Sequence, residues 1–106
     1  MKLRIGAFDY EVVYSPDEIA YEEGEDHLLL LGKIDHATLE ITVWDGCAPS
    51  VLPATLLHEV VHGILRNAGQ TDHPEAFVEA VTLGMLSFAR DNPAAFHQIF
   101  SGGKPQ

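Results

Sequence analysis

Two histidines spaced four residues apart, with a glutamate directly after the first, are the residues in this sequence best suited to chemistry. They are His58, Glu59 and His62, within the apolar stretch 56–65 (LLHEVVHGIL). An α-helix advances by about 100° per residue, so residues four apart lie on one face, one turn above the other. Both imidazoles can therefore bind a single metal ion, with Glu59 in reach of a water molecule beside it.

His-Glu-x-x-His on a helix is the pattern in which two histidines bind zinc and the glutamate acts as a general base toward water. Burial of this group in apolar sequence favours a bound cation, because buried imidazole and carboxylate groups need partners. We expect one zinc ion per chain, since two imidazoles, one carboxylate and an open position suit that metal. A catalytic zinc then requires a third protein ligand.

The third ligand is not a histidine at the fixed spacing His-Glu-x-x-His-x-x-Gly-x-x-His, because that position is occupied by Ala68. The candidates further along the chain are Asp72, His73, Glu75, Glu79 and His97. Asp72 is typical of a helix cap and His73 of an exposed loop, and the sequence does not place His97 in space.

Glu79 is the preferred third ligand and Glu75 the second choice. Glu79 falls in the middle of a predicted helix, on a face otherwise made of Ala76, Leu83 and Leu86. A carboxylate on such a face is hard to explain as a solvent-facing side chain. Glu75 falls in the first turn of the same helix, where the helix dipole accounts for an acidic residue.

The elements that position these residues are predicted to be strands first and helices afterwards, which indicates a small α+β domain with a largely antiparallel sheet. Residues 3–7 and 10–14 are rich in β-formers and are predicted to be extended, with a bend between them at Gly6 or at Phe8-Asp9. Ser15 followed by Pro16 predicts the N-terminus of a short helix.

A β-hairpin is predicted next, with strands over residues 27–31 and 37–44 and a turn over 32–36. The second strand alternates apolar and polar residues with a period of two, which indicates one buried and one wet face. As an edge strand, 37–44 could align a peptide by main-chain hydrogen bonds. Trp44 is more typical of packing at the strand end than of a residue lining a cleft.

Three helices are predicted, over residues 53–67, 74–90 and 94–100. Ser50 is the expected N-cap of the first helix and Gly69 follows its C-terminal end. Thr71 or Asp72 is the expected N-cap of the second.

Length and composition indicate one domain over residues 1–100, with 101–106 expected to be a disordered tail. The net charge of −10, with only six Lys and Arg residues, argues against nucleic-acid binding. We also expect no membrane partner, since the sequence has no spanning segment and no signal peptide, which points to the cytoplasm. The single cysteine, Cys47, excludes an internal disulfide and is expected to be a small packed residue.

The pattern also resembles a known family. His58-Glu59-x-x-His62 followed by a glutamate on the next helix is the gluzincin arrangement, and the layout resembles small phage and mobile-element metallopeptidases related to the ImmA/IrrE family. The likeness covers about residues 28 to 92 and includes Gly32-x-Ile34-Asp35, the 56–65 stretch and Phe-Val-Glu at 77–79. It implies a minimal zinc-dependent endopeptidase with a strand along the cleft.

Residue by residue, the resemblance implies that His58 and His62 are metal ligands, Glu59 the general base and Glu79 the third ligand. The expected substrate is a peptide or protein. The alternative is a non-catalytic, zinc-stabilised interaction module whose acidic cluster at residues 22–26 binds a basic protein. Glu59 favours catalysis, because such a module has no need of a carboxylate beside the metal.

Overall fold

A four-stranded mixed sheet followed by three helices forms the fold, seen in a computed structural model that describes residues 1–23 and 26–102. The strands are β1 (Lys2–Ile5), β2 (Phe8–Ser15), β3 (Ile19–Glu23), β4 (Asp26–Leu30), β5 (Gly32–Asp35) and β6 (Glu40–Trp44). The helices are α1 (Leu52–Asn67), α2 (Glu75–Asp91) and α3 (Pro93–Ser101). The predicted α+β class is confirmed.

The main sheet has the strand order β1-β2-β6-β5, and β3 and β4 form a separate two-stranded sheet. β1 pairs with β2 and β5 with β6 in the antiparallel sense, whereas β2 and β6 are parallel. The largely antiparallel sheet predicted from the sequence is therefore a mixed one. The side chains of Ile41 and Val43 on β6 are fully buried, as expected for an interior strand.

The predicted turn over residues 32–36 is wrong, because Gly32–Asp35 is strand β5. The chain turns after it, where the Asp35 carboxylate accepts the backbone N–H groups of Ala37 at 2.9 Å and Thr38 at 3.1 Å. This is the aspartate turn chemistry that competes with strand formation. The predicted pairing of 27–31 with 37–44 is also wrong, since β4 pairs with β3.

β6 consequently lies between β2 and β5, so the edge position predicted for residues 37–44 is wrong. Its predicted wet face is wrong too, because Thr42 is only 9% exposed. The strand at that edge of the main sheet is β5.

The short helix predicted after Ser15 is absent from the described residues, and β3 begins at Ile19 instead. Ser15 ends β2, and its Oγ accepts the backbone N–H of Asp17 at 3.2 Å. Serine before proline makes this local turn as readily as it caps a helix, which explains the misprediction. The acidic cluster lies at the connection between β3 and β4, and its Gly24 and Glu25 are outside the described residues.

α1 carries the His-Glu-x-x-His motif and lies on the sheet. Its residues Leu52, Leu56 and Val60 pack on the buried cluster formed by β1, β2 and β6. At Gly63 the helix approaches closely, and a Cβ there would lie 3.1 Å from Ile5 Cδ1. The sheet thereby fixes the height and rotation of α1, and so the direction of its opposite face.

The predicted boundaries of the helices agree with the structure better than the predicted N-cap residues do. Pro53 lies in the first turn of α1, but its N-cap is Val51 and not Ser50. The N-cap of α2 is Pro74, so neither Thr71 nor Asp72 fills that role. α2 packs on α1 and α3 packs mainly on α2. Residues 103–106 of the predicted tail lie outside the described part of the chain.

None of the described helices has the length and apolar character needed to cross a membrane.

Candidate metal centre

His58, Glu59 and His62 present one ligand atom each on the cleft-facing side of α1, and these atoms lie within 4.8 Å of one another. This group could hold a metal ion. The side chains of the two histidines are 19% and 15% exposed, and Glu59 is 7% exposed as a residue. The helix predicted from the motif thus brings all three residues together.

Glu75, at the first turn of α2, reaches both histidines. Its Oε2 lies 2.9 Å from His58 Nε2 and its Oε1 lies 2.9 Å from His62 Nε2. The two Nε2 atoms are 3.2 Å apart. Two imidazole nitrogens and one carboxylate therefore converge on one small region between α1 and α2.

Glu79, one turn further along α2, contacts the other side of the His58 ring. Its Oε2 lies 2.8 Å from His58 Nδ1. An ionised carboxylate can only accept a hydrogen bond, so Nδ1 carries the hydrogen when Nε2, which faces the Glu75 carboxylate, is left to bind a cation. A neutral His58 then has its lone pair on Nε2, directed toward Glu75 and His62.

His73, in the connection between α1 and α2, contacts Nδ1 of His62, as Glu79 contacts Nδ1 of His58. His73 Nδ1 lies 2.7 Å from the carbonyl oxygen of Gln70, which can only accept, so Nδ1 is the donor. The Nε2 of a neutral His73 is therefore an acceptor, and it lies 2.7 Å from His62 Nδ1. In this arrangement His62 donates from Nδ1 and has its lone pair on Nε2, which requires a cation between Nε2 and the Glu75 carboxylate.

Both imidazoles thus direct an Nε2 lone pair toward the same place, where the Glu75 oxygens also lie. Three acceptors this close need a shared cation or proton. With metal–nitrogen bonds of about 2.0 Å, two ligand atoms of a tetrahedral zinc site are separated by about 3.3 Å. The Nε2–Nε2 distance of 3.2 Å fits that separation, and the donor set of imidazole and carboxylate suits zinc.

Glu59 has an unusual electrostatic environment for a carboxyl group. Burial raises the pKa of Glu59 from its ordinary value of 4.5 to about 7; His58 opposes this shift and Glu75 adds to it. Burial also lowers the pKa of His62, which favours the neutral, metal-binding form of that ring. A carboxyl group with a pKa near neutrality can both accept and release a proton at physiological pH.

A cleft of about 640 Å³ opens above these residues. One wall is the edge strand β5 with the preceding Leu31, another is α2 with its two glutamates, and α1 forms the floor. Gly32 keeps β5 close to α1, since a Cβ at this position would lie 2.8 Å from Thr55 Cγ2 and 3.3 Å from Glu59 Cγ. The cleft thus exposes the candidate metal ligands next to an extended segment of backbone.

The other predicted candidates have different surroundings. Asp72, His97 and Trp44 are not among the described residues that line the cleft. Trp44 packs over Gly46 at the strand end, and Cys47 Sγ lies 3.3 Å from the Trp44 carbonyl oxygen. Both observations agree with the packing roles expected from the sequence.

Two further histidines, His36 and His73, have defined partners. His36 Nδ1 lies 3.1 Å from the hydroxyl of the buried Tyr10, and burial lowers the pKa of its ring. His73, which the sequence predicts to be an exposed loop residue, contacts His62. A signal for it was available: a histidine in a short connection between two ligand-bearing helices must lie near the cleft.

Comparison with known protein families, with curated proteins and with solved structures finds no match to this chain.

Proposed function

We propose that this protein is a zinc-dependent metallopeptidase that hydrolyses a peptide bond in the cleft between α1, α2 and β5, as the resemblance to gluzincins implies. The observation that carries the proposal is the convergence of the Nε2 atoms of His58 and His62, 3.2 Å apart, beside the buried Glu59. Bound there, zinc would supply a water of lowered pKa and would polarise the substrate carbonyl.

His58 and His62 would hold the ion through their Nε2 atoms, with a carboxylate from α2 as third ligand. The sequence prefers Glu79 for that position, whereas the distances favour Glu75, which lies 2.9 Å from both Nε2 atoms. Glu79 then orients His58 through Nδ1, an arrangement that often supports metal-binding histidines.

Glu59 would act as the general base. It takes a proton from the attacking water and gives it to the amine that leaves when the peptide C–N bond breaks. A pKa of about 7 suits both transfers, because efficient proton exchange needs a pKa close to the working pH. Burial also keeps the carboxyl group beside the ligands and away from bulk water.

β5 would align the substrate. It is an edge strand of the main sheet, it lines the cleft, and its free side can hydrogen-bond to an extended peptide. This replaces the strand over 37–44, which the sequence suggested for that role. An extended peptide on β5 would run past Glu59 within the cleft.

The test combines metal content with hydrolysis. We expect about one zinc per chain in the wild type, loss of the metal in Glu75→Ala, and weaker binding in Glu79→Ala. A protease screen on the wild type uses Glu59→Gln as the matched control, which should keep the metal and lose hydrolysis by several orders of magnitude.

Two results would count against the proposal. A wild-type protein without metal after zinc is supplied would exclude the metal centre. A protein that binds zinc at this site but hydrolyses no peptide, with Glu59→Gln indistinguishable from wild type, would favour the zinc-stabilised interaction module instead. Loss of metal in Glu79→Ala but not in Glu75→Ala would show that Glu79, the ligand preferred from the sequence, is the third ligand.

A further inference from the structure

A chain of three groups leads from the backbone between α1 and α2 to the candidate metal centre. The Gln70 carbonyl oxygen accepts from His73 Nδ1 at 2.7 Å, and His73 Nε2 lies 2.7 Å from His62 Nδ1. The rings of His62 and His73 have centroids 4.9 Å apart. The carbonyl can only accept, so a neutral His73 donates from Nδ1 and accepts at Nε2, which favours donation from His62 Nδ1. The Glu75 carboxylate, 2.9 Å from His62 Nε2, favours the opposite tautomer of His62.

That direction matters because imidazole has two nitrogens and only one can be the bare ligand atom in its neutral form. Without an acceptor at Nδ1, His62 could place its hydrogen on Nε2 and so block the atom that faces His58 and Glu75. The carbonyl-fixed His73 opposes this alternative, which the Glu75 carboxylate beside Nε2 favours in the metal-free protein. It also restrains rotation of the His62 ring, since a 2.7 Å hydrogen bond holds one edge of the ring in place.

We propose that His73 is a positioning residue that holds His62 in the Nδ1–H tautomer, and that the Gln70 carbonyl in turn fixes His73. This inference rests on the proposed metal centre for its purpose, but the tautomer itself is a property of the metal-free protein. His73 is not assigned as a ligand, because its Nδ1 faces the Gln70 carbonyl oxygen and its Nε2 faces His62 Nδ1, not the Nε2 atoms of the candidate centre. Substitution of a residue that hydrogen-bonds to a metal ligand typically lowers metal affinity by about 10- to 100-fold.

Two substitutions separate the hydrogen bond from packing. His73→Phe keeps a ring of similar size and removes the acceptor, whereas His73→Gln keeps a side-chain oxygen that can accept from His62 Nδ1. We expect His73→Phe to weaken zinc and cobalt binding about 10- to 100-fold in competition with a chelator, and His73→Gln to recover most of that loss. Circular dichroism of the metal-free proteins checks that all variants fold.

The second readout is nitrogen NMR of the His62 ring in metal-free protein at a pH where the ring is neutral. The wild type and His73→Gln should show a larger share of the Nδ1–H tautomer than His73→Phe, in which the Glu75 carboxylate beside Nε2 shifts the population toward Nε2–H. Unchanged tautomer and unchanged affinity in His73→Phe would overturn the inference. So would equal losses in His73→Phe and His73→Gln, which would indicate packing alone.

A failure of the metal centre itself is distinguishable from a failure of this inference. If His58→Ala binds zinc as tightly as the wild type, the ligand set is wrong, while the NMR measurement still decides the role of His73. If His58→Ala loses the metal and His73→Phe changes neither tautomer nor affinity, the metal centre stands and His73 has no positioning role.

Discussion

At the scale of single residues, Glu59 is the side chain whose environment departs furthest from that of an ordinary carboxyl group. It is 7% exposed and lies on the sheet-proximal side of the cleft floor, against Gly32. Folding therefore removes from water a group that would be fully ionised at neutral pH in the unfolded chain. The fold tolerates this cost at the position where the proposed mechanism needs a general base, and such perturbed groups cluster at functional sites.

Because burial of the Glu59 carboxylate costs free energy, the stability of the metal-free protein should depend on pH. The pKa of Glu59 rises from 4.5 in the unfolded chain to about 7 in the folded protein. Between those values the folded protein holds a proton that the unfolded chain has released, so rising pH makes folding less favourable. Relative to Glu59→Gln, the wild type should lose up to about 3 kcal/mol of unfolding free energy between pH 4.5 and pH 7.

Urea unfolding in the presence of a chelator measures this difference. The comparison with Glu59→Gln is needed because the lowered pKa of His62 acts in the opposite direction, destabilising the fold as the pH falls through the ordinary histidine value. That contribution is present in both proteins and cancels. Parallel pH profiles for the two proteins would mean that the Glu59 carboxyl is not destabilised by burial.

At the scale of elements, the site depends on how closely β5 lies against α1. A Cβ on Gly32 would meet Thr55 Cγ2 at 2.8 Å and the Thr42 carbonyl oxygen at 3.2 Å, so even a methyl group needs a shift of the strand or the helix. We expect Gly32→Ala to cost about 1–3 kcal/mol of unfolding free energy through overpacking. The same shift should widen the cleft and weaken metal binding.

Thr55→Ser supplies the matched variant. It removes the methyl group that clashes and keeps the hydroxyl that donates to the Val51 carbonyl oxygen at 3.1 Å. The Gly32→Ala/Thr55→Ser double variant should therefore be more stable than the sum of the two single effects predicts, by about 0.5 kcal/mol or more. Additive effects in denaturant unfolding would show that β5 yields without straining α1.

An element could be predicted where residues close together in the sequence specify it. α1 has a local signal, since the spacing of His58, Glu59 and His62 and the apolar residues around them specify one helix. β5 does not have one, because Gly32 and Asp35 are typical turn residues. The need for a glycine within this strand comes from the close approach of Thr55, Thr42 and Glu59, which are distant in sequence. Ser15 likewise fits a helix cap and a strand-ending turn equally well.

The candidate site divides in the same way. The two histidines and Glu59 are related by one helix and were predictable. The carboxylates of Glu75 and Glu79 depend on how α2 crosses α1, which no pattern within α2 specifies. The sequence could narrow the third ligand to these two, but it could not tell that one faces Nε2 and the other Nδ1 of His58.

At the scale of the whole molecule, the candidate metal centre joins two helices that the sheet alone does not hold together. α1 packs on the sheet and contributes the histidines, whereas α2 packs on α1 and contributes the carboxylates. An ion bound between them would link binding to folding, because the unfolded chain does not preserve this arrangement of ligands.

Zinc should therefore raise the melting temperature of the protein. Free zinc at about 100 times its dissociation constant adds about 2.7 kcal/mol to the unfolding free energy, which for a domain of this size corresponds to roughly 10–20 °C. Differential scanning calorimetry with buffered zinc measures the shift, and His62→Ala is the control that should show almost none. This control matters because a net charge of −10 can attract zinc to many surface carboxylates. Equal shifts in His62→Ala and wild type would place the ion on that surface and not between α1 and α2.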